Sequence, residues 1–267
     1  ESITDLFKIM PDLVVIGVSS KGIEWVSEEL KKISKNGKLP KLLMLTKGLS
    51  IFENNYELLV KKLERLISNK NIKKNNLSVL GGPCLASGLV KRVHTSVIIA
   101  NKDMDRAKFL SKMLSTDYYH VSASSDLNGV EVCAAVKNIF SMIIGAAPGL
   151  NKLKSQGNFY LNTSAALIKQ SIYEMEIFVE FLKGKKETVK GLAGLGDLFV
   201  SASGGRNSKM GSYIGDGINF STAKKTKMPN VTVEGAELIL EIGEKIKEDF
   251  DDKKLPLMIA MINAILE

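Results

Sequence analysis

The sequence predicts an α/β protein with a doubly wound sheet, followed by an all-helical domain. In the first half, short apolar, β-branched runs alternate with stretches of helical spacing. From about Leu127 onward the strands stop and helical patterns dominate. Alternating strands and helices are typical of a sheet that is covered by helices. The pattern changes between Ser122 and Asn128, which predicts two domains, 1–126 and 127–267.

The first domain has apolar runs that predict five strands. In chain order they are 12–18, 42–45, 77–80, 96–100 and 118–121. The first run, D-L-V-V-I-G-V, is apolar after Asp12, as expected of a buried parallel strand. Apolar residues recur at helical spacing between the strands, which predicts helices at 22–33, 56–67 and 104–114.

The second domain is predicted to consist of helices alone. They are expected at 129–147, 162–182, 208–215, 234–247 and 255–266, with a short piece near Leu198. No internal repeat and no low-complexity tract is visible in the sequence.

Composition excludes several classes of protein. The 267 residues are 45% hydrophobic and 25% charged, which is ordinary for a globular protein. The cysteines, Cys84 and Cys133, have no metal-ligand spacing, and His94 and His120 are far apart in sequence. We therefore expect no disulfide framework, no metal site and a reducing, cytoplasmic location. The first residues lack the basic start and apolar run of a secretory signal.

Charge and hydropathy argue against two kinds of partner. The net charge is +8, but the lysines are spread along the chain and aromatic residues do not interleave with them. This pattern indicates a solvated surface, so we expect no nucleic-acid partner. Lys137 interrupts the only long apolar run, so we expect no membrane insertion.

Lys137 is the most informative residue of the chain. Between Gly129 and Ala147 only Glu131 and Lys137 can carry charge. A buried ammonium without partners costs several kcal/mol, so this lysine must be paired, exposed or chemically active. The alternative is a lysine that snorkels from one polar stripe of the helix to solvent.

Three loops follow predicted strands, where doubly wound sheets bind ligands. They are Ser19-Ser20-Lys21, Thr46-Lys47-Gly48 and Gly82-Pro83-Cys84-Leu85-Ala86. The second loop places Lys47 at the crevice, and the glycines of the third allow a ligand to approach the backbone. Each loop also fits an ordinary strand-to-helix turn.

Two segments of the helical domain carry polar side chains that suit a ligand site. The run G-L-A-G-L-G-D-L presents Asp197 after three glycines, although Asp197 also suits a helix cap. Arg206 and Asn207 follow small residues at a predicted helix start, which suits a phosphate or carboxylate. A flexible loop with a stray arginine is the alternative. The sequence has no P-loop, no G-x-G-x-x-G and no recognisable nucleophile-base pattern.

These motifs, in this order, resemble the NAD(P)-dependent glycerol-3-phosphate dehydrogenases. The matching segments are T-K-G (46–48), G-G-P-C-L-A (81–86), G-V-E-x5-K-N (129–138), G-L-A-G-L-G-D-L (191–198), R-N (206–207) and V-E-G (233–235). The resemblance covers essentially the whole chain. It implies a Rossmann-like sheet domain and an all-α substrate domain that interconvert sn-glycerol 3-phosphate and dihydroxyacetone phosphate with NAD or NADP. It also implies a cytoplasmic enzyme, a phosphorylated triose as substrate and a possible homodimer.

The resemblance also implies roles for individual residues. It makes Lys137 the proton donor and acceptor at the C2 oxygen, with Lys47 and Asp197 as catalytic partners. It assigns substrate binding to Gly82, Cys84, Arg206 and Asn207, and cofactor binding to Lys47, Ala86, Arg206 and Glu234.

The chain departs from the family pattern in three places. Cys84 stands where the family usually has a hydroxyl residue, and Gly205 where it usually has Ser or Thr. The glycine-rich βαβ unit that opens the family is expected to be missing. Two alternatives therefore stay open: a non-catalytic remnant that binds a triose phosphate or a partner, and a related dehydrogenase for another hydroxy acid or sugar.

Overall fold

The structure is a computed structural model that describes residues 11–33, 39–67, 77–150 and 160–267. Its strands are β1 (Leu13–Ile16), β2 (Lys41–Met44), β3 (Leu49–Phe52), β4 (Asn55–Leu58), β5 (Leu77–Gly81), β6 (Thr95–Ala100) and β7 (Tyr119–Ser124). A five-stranded sheet has the order β1-β2-β5-β6-β7, and β3 and β4 form a separate hairpin. The predicted fold class, a doubly wound sheet followed by a helical part, is confirmed.

Helices cover the sheet and form the second half of the chain. The helices are α1 (Ile23–Ile33), α2 (Leu59–Ile67), α3 (Ala86–Val90), α4 (Met104–Leu114), α5 (Leu127–Gly145), α6 (Ala147–Leu150), α7 (Leu161–Phe181), α8 (Lys186–Val189), α9 (Asp197–Ala202), α10 (Arg206–Gly215), α11 (Phe220–Thr226), α12 (Glu234–Asp249) and α13 (Pro256–Leu266). A π-helical turn, Leu192–Gly196, leads directly into α9. The proposed domain division, 1–126 and 127–267, falls between β7 and α5.

The sheet is mixed in strand direction. β1, β2 and β5 are parallel to one another, and a parallel strand was predicted for β1. β6 runs antiparallel to β5 and parallel to β7. The connection 82–94 contains only the short α3, whereas a parallel crossover usually needs a full helix. As a result, the starts of β6 and β7 lie at the same sheet edge as the ends of β1, β2 and β5.

The β3–β4 hairpin was not predicted, and the expected helix 56–67 is wrong at its start. Tyr56 lies in β4, and α2 begins only at Leu59. Glu53 and Asn54 both have positive φ, at 48° and 60°, which is the backbone of a tight two-residue hairpin turn. The leucines of β4 and α2 also fit a helical period, so spacing alone could not separate the strand from the helix.

Helix α5 is the centre of the hydrophobic core. Asp126 starts it by accepting a hydrogen bond from the Gly129 N–H at 3.0 Å. The helix contacts β5 and helices α7, α9, α10, α12 and α13. By length and composition alone, the segment Leu127–Leu150 could cross a membrane, but it is buried inside the protein. Its apolarity is therefore explained by its central position in the core.

Glycines bring α10 against α5 backbone to backbone. A Cβ on Gly211 would overlap the carbonyl oxygen of Met142, and a Cβ on Gly145 would overlap the backbone of Ser208. Neither position has room for even one methyl group. This contact fixes the start of α10, which carries Arg206 and Asn207, relative to α5.

We expect Gly211→Ala to lower the free energy of unfolding by about 1–3 kcal/mol, because the added methyl group forces α10 away from α5. Urea denaturation measures the change. Lys209→Ala is the matched control, because Lys209 is exposed on the same helix and its loss should cost less than about 0.5 kcal/mol. Equal stabilities of the two variants would contradict this account of the helix contact.

Candidate functional site

A cleft of about 1070 Å³ lies where the sheet meets the helical part of the chain. Its walls include the loops that follow β1 and β2, at 17–21 and 45–48. The opposite walls come from α5, the 200–207 segment and the start of α12. The cleft therefore lies beyond the carboxyl ends of parallel strands, as ligand sites do in doubly wound sheets.

One carboxylate binds two ammonium groups at this cleft. Asp197 Oδ1 lies 2.7 Å from Lys137 Nζ, and Asp197 Oδ2 lies 3.0 Å from Lys47 Nζ. Lys137 also donates to Ser201 Oγ at 2.5 Å. The side chain of Lys47 is 31% exposed, whereas those of Lys137 and Asp197 are only 7% and 5% exposed. Three segments that are distant in sequence therefore meet in one charged cluster.

The backbone explains why Asp197 lies at this point. It is the first residue of α9, and its backbone N–H donates to the carbonyls of Leu192 and Gly194 in the preceding π-helical turn. The preceding π-helical turn packs tightly, since a Cβ on Gly194 would overlap the carbonyl of Val189. Ser201 follows four residues after Asp197 and therefore lies on the same face of α9.

Burial changes the proton affinity of Lys137. The pKa of Lys137 is lowered to about 8, with desolvation as the largest cause and the nearby charge of Lys47 as the second. The attraction of Asp197 acts in the opposite direction. The amine can therefore gain and lose a proton near neutral pH.

A second polar cluster lies next to Lys137 at the start of α10. Asn207 donates to Asn138 Oδ1 at 3.0 Å and to Glu234 Oε2 at 3.4 Å, and it accepts from the Gly235 N–H at 2.9 Å. Arg206 forms an ion pair with Glu234, and its side chain is 58% exposed. The exposed guanidinium remains accessible from the cleft, whereas Asn207 is buried and tied to its neighbours.

The structure brings five predicted site residues to the cleft wall, and Asp197 bonds two of them. The wall residues are Lys47, Lys137, Arg206, Asn207 and Glu234. Among the described residues, the lining does not include the other three predicted ones, which are Gly82, Cys84 and Ala86.

The third predicted loop lies behind the lysine cluster. Gly82 has a φ of +113° and packs against the backbone of Val97, so a side chain there is strained. Cys84 is half-buried; burial raises the pKa of its thiol, and the charge of Lys47 opposes the increase. Ala86 is the first residue of α3, and its neighbour Leu85 lines the cleft.

Sequence reasoning missed several polar residues at the cleft. Ser201 contacts Lys137, and Asn138 bonds Asn207. The spacing of four residues from Asp197 could have indicated Ser201, because both side chains then share a helix face. Thr46 donates to the carbonyl of Val18 at 2.8 Å and joins the loops after β1 and β2, which no sequence pattern signals.

The two histidines are close in space, away from this cluster. His94 Nδ1 and His120 Nε2 lie 3.2 Å apart, with an angle of 12° between the ring planes and the centroids 5.5 Å apart. In this nearly coplanar arrangement the two nitrogens face each other and share a hydrogen bond. Within the ranges that the structure describes, no group of three or more His, Cys, Asp or Glu side chains is suited to a metal ion.

Known relatives match this chain over most of its length. The glycerol-3-phosphate dehydrogenase [NAD(P)+] of Fusobacterium nucleatum is 31% identical over 260 residues, which are 96% of this chain and 71% of that protein. The NADP(+)-dependent glycerol-3-phosphate dehydrogenase of Archaeoglobus fulgidus is 28% identical over 243 residues, 89% of this chain and 70% of the relative. The crystal structure of a glycerol-3-phosphate dehydrogenase from Coxiella burnetii superimposes with a TM-score of 0.78 at 26% identity, and covers 96% of this chain and 73% of that one.

Family profiles match both halves of the chain. Residues 3–107 match the profile described as the N-terminus of NAD-dependent glycerol-3-phosphate dehydrogenase. Residues 126–267 match the profile described as its C-terminus. The chain therefore belongs to the NAD-dependent glycerol-3-phosphate dehydrogenase family.

Proposed function

We propose that this protein is an NAD(P)-dependent oxidoreductase that interconverts sn-glycerol 3-phosphate and dihydroxyacetone phosphate. Membership of the family supports this reaction. The observation that carries it in this chain is a buried lysine, Lys137, whose pKa is lowered to about 8 at the wall of a cleft. A guanidinium, Arg206, lines the same cleft and suits the phosphate of the substrate.

Lys137 is proposed as the acid-base group. During oxidation its neutral amine takes the proton of the C2 hydroxyl, while the hydrogen on C2 leaves with its electron pair. During reduction the ammonium returns the proton to the C2 oxygen. A group whose pKa lies near working pH performs both steps efficiently.

Lys47 and Asp197 are proposed to hold that amine in place and to adjust its charge. Asp197 bonds Lys137 at 2.7 Å and Lys47 at 3.0 Å, so the two ammonium groups stay near each other. Lys47 also offers a positive charge to the developing alkoxide at C2, which stabilises it electrostatically.

Arg206 and the start of α10 are proposed to bind the substrate phosphate. The guanidinium suits a phosphate because its donors form a planar fork, and α10 begins at Arg206 with free backbone N–H groups. The hydrogen bonds of Asn207 are already used within the protein, so we assign it to orienting this helix start. Gly82 and Cys84 are proposed to support the substrate pocket from behind Lys47.

The cleft fits NAD or NADP as the cofactor. Its volume of about 1070 Å³ lies at the upper end of the range for small-molecule sites, and the loops after β1 and β2 include Gly17 and Gly48. Gly48 has a φ of +150°, which allows a backbone conformation that side chains disfavour. Lys47, Arg206 and Glu234 line the cleft and are proposed to contact the cofactor. Ala86 is proposed to contact it as well, because the preceding residue, Leu85, lines the cleft. NAD(P) supplies the hydride acceptor and donor when bound.

We propose that the substrate is a phosphorylated triose. We also propose that the protein forms a homodimer and that it is located in the cytoplasm. Both cysteines, Cys84 and Cys133, are free, which agrees with a reducing compartment. Light scattering of the purified enzyme measures the assembly.

We expect the purified protein to oxidise NADH or NADPH when dihydroxyacetone phosphate is added, and Lys137→Met to lower kcat by about 10²–10⁴-fold. Methionine replaces the buried aliphatic stem and removes only the amine. Lys209→Met is the control for loss of a lysine, because Lys209 is exposed. A folded wild-type protein without activity would refute the function, and unchanged turnover in Lys137→Met would refute the role of Lys137.

The two directions of the reaction should respond oppositely to pH. Oxidation of glycerol 3-phosphate needs the neutral amine, so its kcat/KM should rise as pH increases through about 8. Reduction of dihydroxyacetone phosphate needs the ammonium and should decline above about 8. Steady-state rates between pH 6 and 10, in a buffer of constant ionic strength, measure both profiles. Identical profiles in the two directions would contradict this assignment.

Asp197→Asn should move the midpoint of both profiles to lower pH. The carboxylate opposes the lowering of the Lys137 pKa, whereas burial and Lys47 still act in the variant. Titration of ¹³C-labelled lysine side chains by NMR measures the pKa directly, and Lys137→Met identifies the signal by its loss. An upward shift of that signal in Asp197→Asn would show that the carboxylate has another role.

Arg206→Ala should raise KM for dihydroxyacetone phosphate about 10–100-fold, the usual cost of one charge-assisted contact. With NADH or NADPH at saturation, the slow reduction of dihydroxyacetone, which lacks the phosphate, serves as the control and should change little. A KM that stays at the wild-type value would favour a substrate without a phosphate at this position.

A further inference from the structure

A buried carboxyl group on α5 has no part in the reaction described above. Glu131 is fully buried, and its Oε1 accepts a hydrogen bond from the Val60 N–H at 3.0 Å. The neighbouring Leu59 N–H also faces the carboxyl group. Its Oε2 has no hydrogen-bond partner among the described residues. Burying an incompletely bonded carboxyl group is costly, so its presence needs a reason.

The two N–H groups belong to the first residues of α2, which begins at Leu59. They are among the four backbone donors that every helix leaves unpaired at its start. Glu131 therefore caps α2 from another helix rather than from the preceding residue. Burial raises the pKa of Glu131 to about 8, the backbone donors and Lys61 oppose this increase, and Glu64 adds to it.

The capped helix end is joined directly to the loop of Lys47. β4 ends at Leu58, which pairs with Leu49, the first residue of β3. Leu49 follows Lys47 by two residues. The side chain of Leu59 also packs on the intervening glycine, since its Cδ1 lies 3.2 Å from where a Cβ on Gly48 would stand. A shift of the α2 start therefore moves the loop that holds Lys47.

The other end of the connection is the catalytic helix. Glu131 precedes Lys137 by six residues on α5, a distance along the axis of about 9 Å. Both residues are buried on a helix that the core surrounds. Glu131 and Lys137 therefore move as one rigid unit.

We propose that Glu131 is a positioning residue, which fixes the distance between the ammonium groups of Lys47 and Lys137 by tying the start of α2 to α5. This inference rests on the proposed function, in which Lys137 exchanges the proton. Without the cap, the Lys47 loop relaxes and its ammonium moves away from Lys137. The repulsion that keeps the Lys137 amine easy to deprotonate then weakens.

A second buried carboxyl group provides a matched control. Glu174 on α7 accepts from the N–H groups of Leu257 and Met258, each at 2.9 Å, at the start of α13. It is also buried, and desolvation also raises its pKa. Neither α7 nor α13 contributes a described residue to the cleft. Glu174 therefore caps a helix that contributes no described residue to the cleft.

The experiment compares Glu131→Met with Glu174→Met in the purified enzyme. Both variants should lower the melting temperature, because each leaves buried backbone N–H groups at a helix start without an acceptor. Only Glu131→Met should lower kcat, by about tenfold, and raise the pH midpoint of kcat/KM, since misplacement by about 1 Å can cost far more than that. Glu174→Met should keep kcat and the midpoint within about twofold and about 0.2 pH units of wild type. Equal behaviour of the two variants would overturn the proposal.

A double variant tests whether Glu131 acts through Lys47. If it does, Glu131→Met should change kcat less than about twofold in a Lys47→Met background. Independent effects that multiply would overturn the proposal. Should Glu131→Met not fold, Glu131→Asp is the second variant, because it keeps the carboxyl group and withdraws it from α2 by one methylene. Wild-type kcat and a wild-type pH midpoint in Glu131→Asp would then overturn the proposal. An inactive wild-type enzyme, in contrast, refutes the proposed function itself.

Discussion

The arrangement of the cleft depends on one carboxylate between two ammonium groups. Asp197 is separated by 150 residues from Lys47 and by 60 from Lys137, and it bonds both. It joins the loop after β2 to the central helix and to α9. A buried ion pair is weak evidence for stability, because desolvation offsets much of the attraction. Its value here is geometric, since it fixes three segments around one point.

The charges of this cluster do not cancel. Two ammonium groups and one carboxylate leave one net positive charge in a largely desolvated place, and Arg206 adds a guanidinium that is partly balanced by Glu234. Such an excess is unfavourable in the free protein and favourable once an anion enters. Burial is the largest cause of the lowered pKa of Lys137, and the charge of Lys47 adds to it. The proposed attraction of an anionic substrate and the readiness for proton exchange therefore share the charge of Lys47 as a cause.

The sequence predicted those parts of the fold and the site that local patterns determine. The strand and helix alternation predicted the fold class. The apolar surroundings of Lys137 indicated that it must be paired, exposed or chemically active, and the structure shows it paired with Asp197. The direction of β6 was not predictable, because it depends on the short connection 82–94 and on the pairing partner. The β3–β4 hairpin could not be recognised from the sequence, because the leucines of β4 and α2 together match a helical period.

Local sequence patterns cannot predict contacts between distant segments of the chain. Asn207 was predicted to bind the substrate, but its amide is used by Asn138, Glu234 and the Gly235 N–H. The sequence could indicate Ser201 only through its spacing of four residues from Asp197. Nothing in the sequence pairs Glu131 with the start of α2. The glycine loop 82–86 matched the family motif, yet the structure places Gly82 and Cys84 behind the lysines rather than on the lining.

The close contact of α5 with α10 limits the length of molecule that the cleft accepts. Lys137 and Arg206 project from two helices that touch through Gly145 and Gly211, where no side chain can rotate to absorb a change. The separation of the two helix backbones is therefore nearly fixed, and only the side chains of Lys137 and Arg206 can adapt to a longer molecule. With the roles proposed for these two residues, a hydroxy phosphate with one more carbon would have to bend between amine and guanidinium, so discrimination by chain length would originate in a pair of missing methyl groups at the helix crossing.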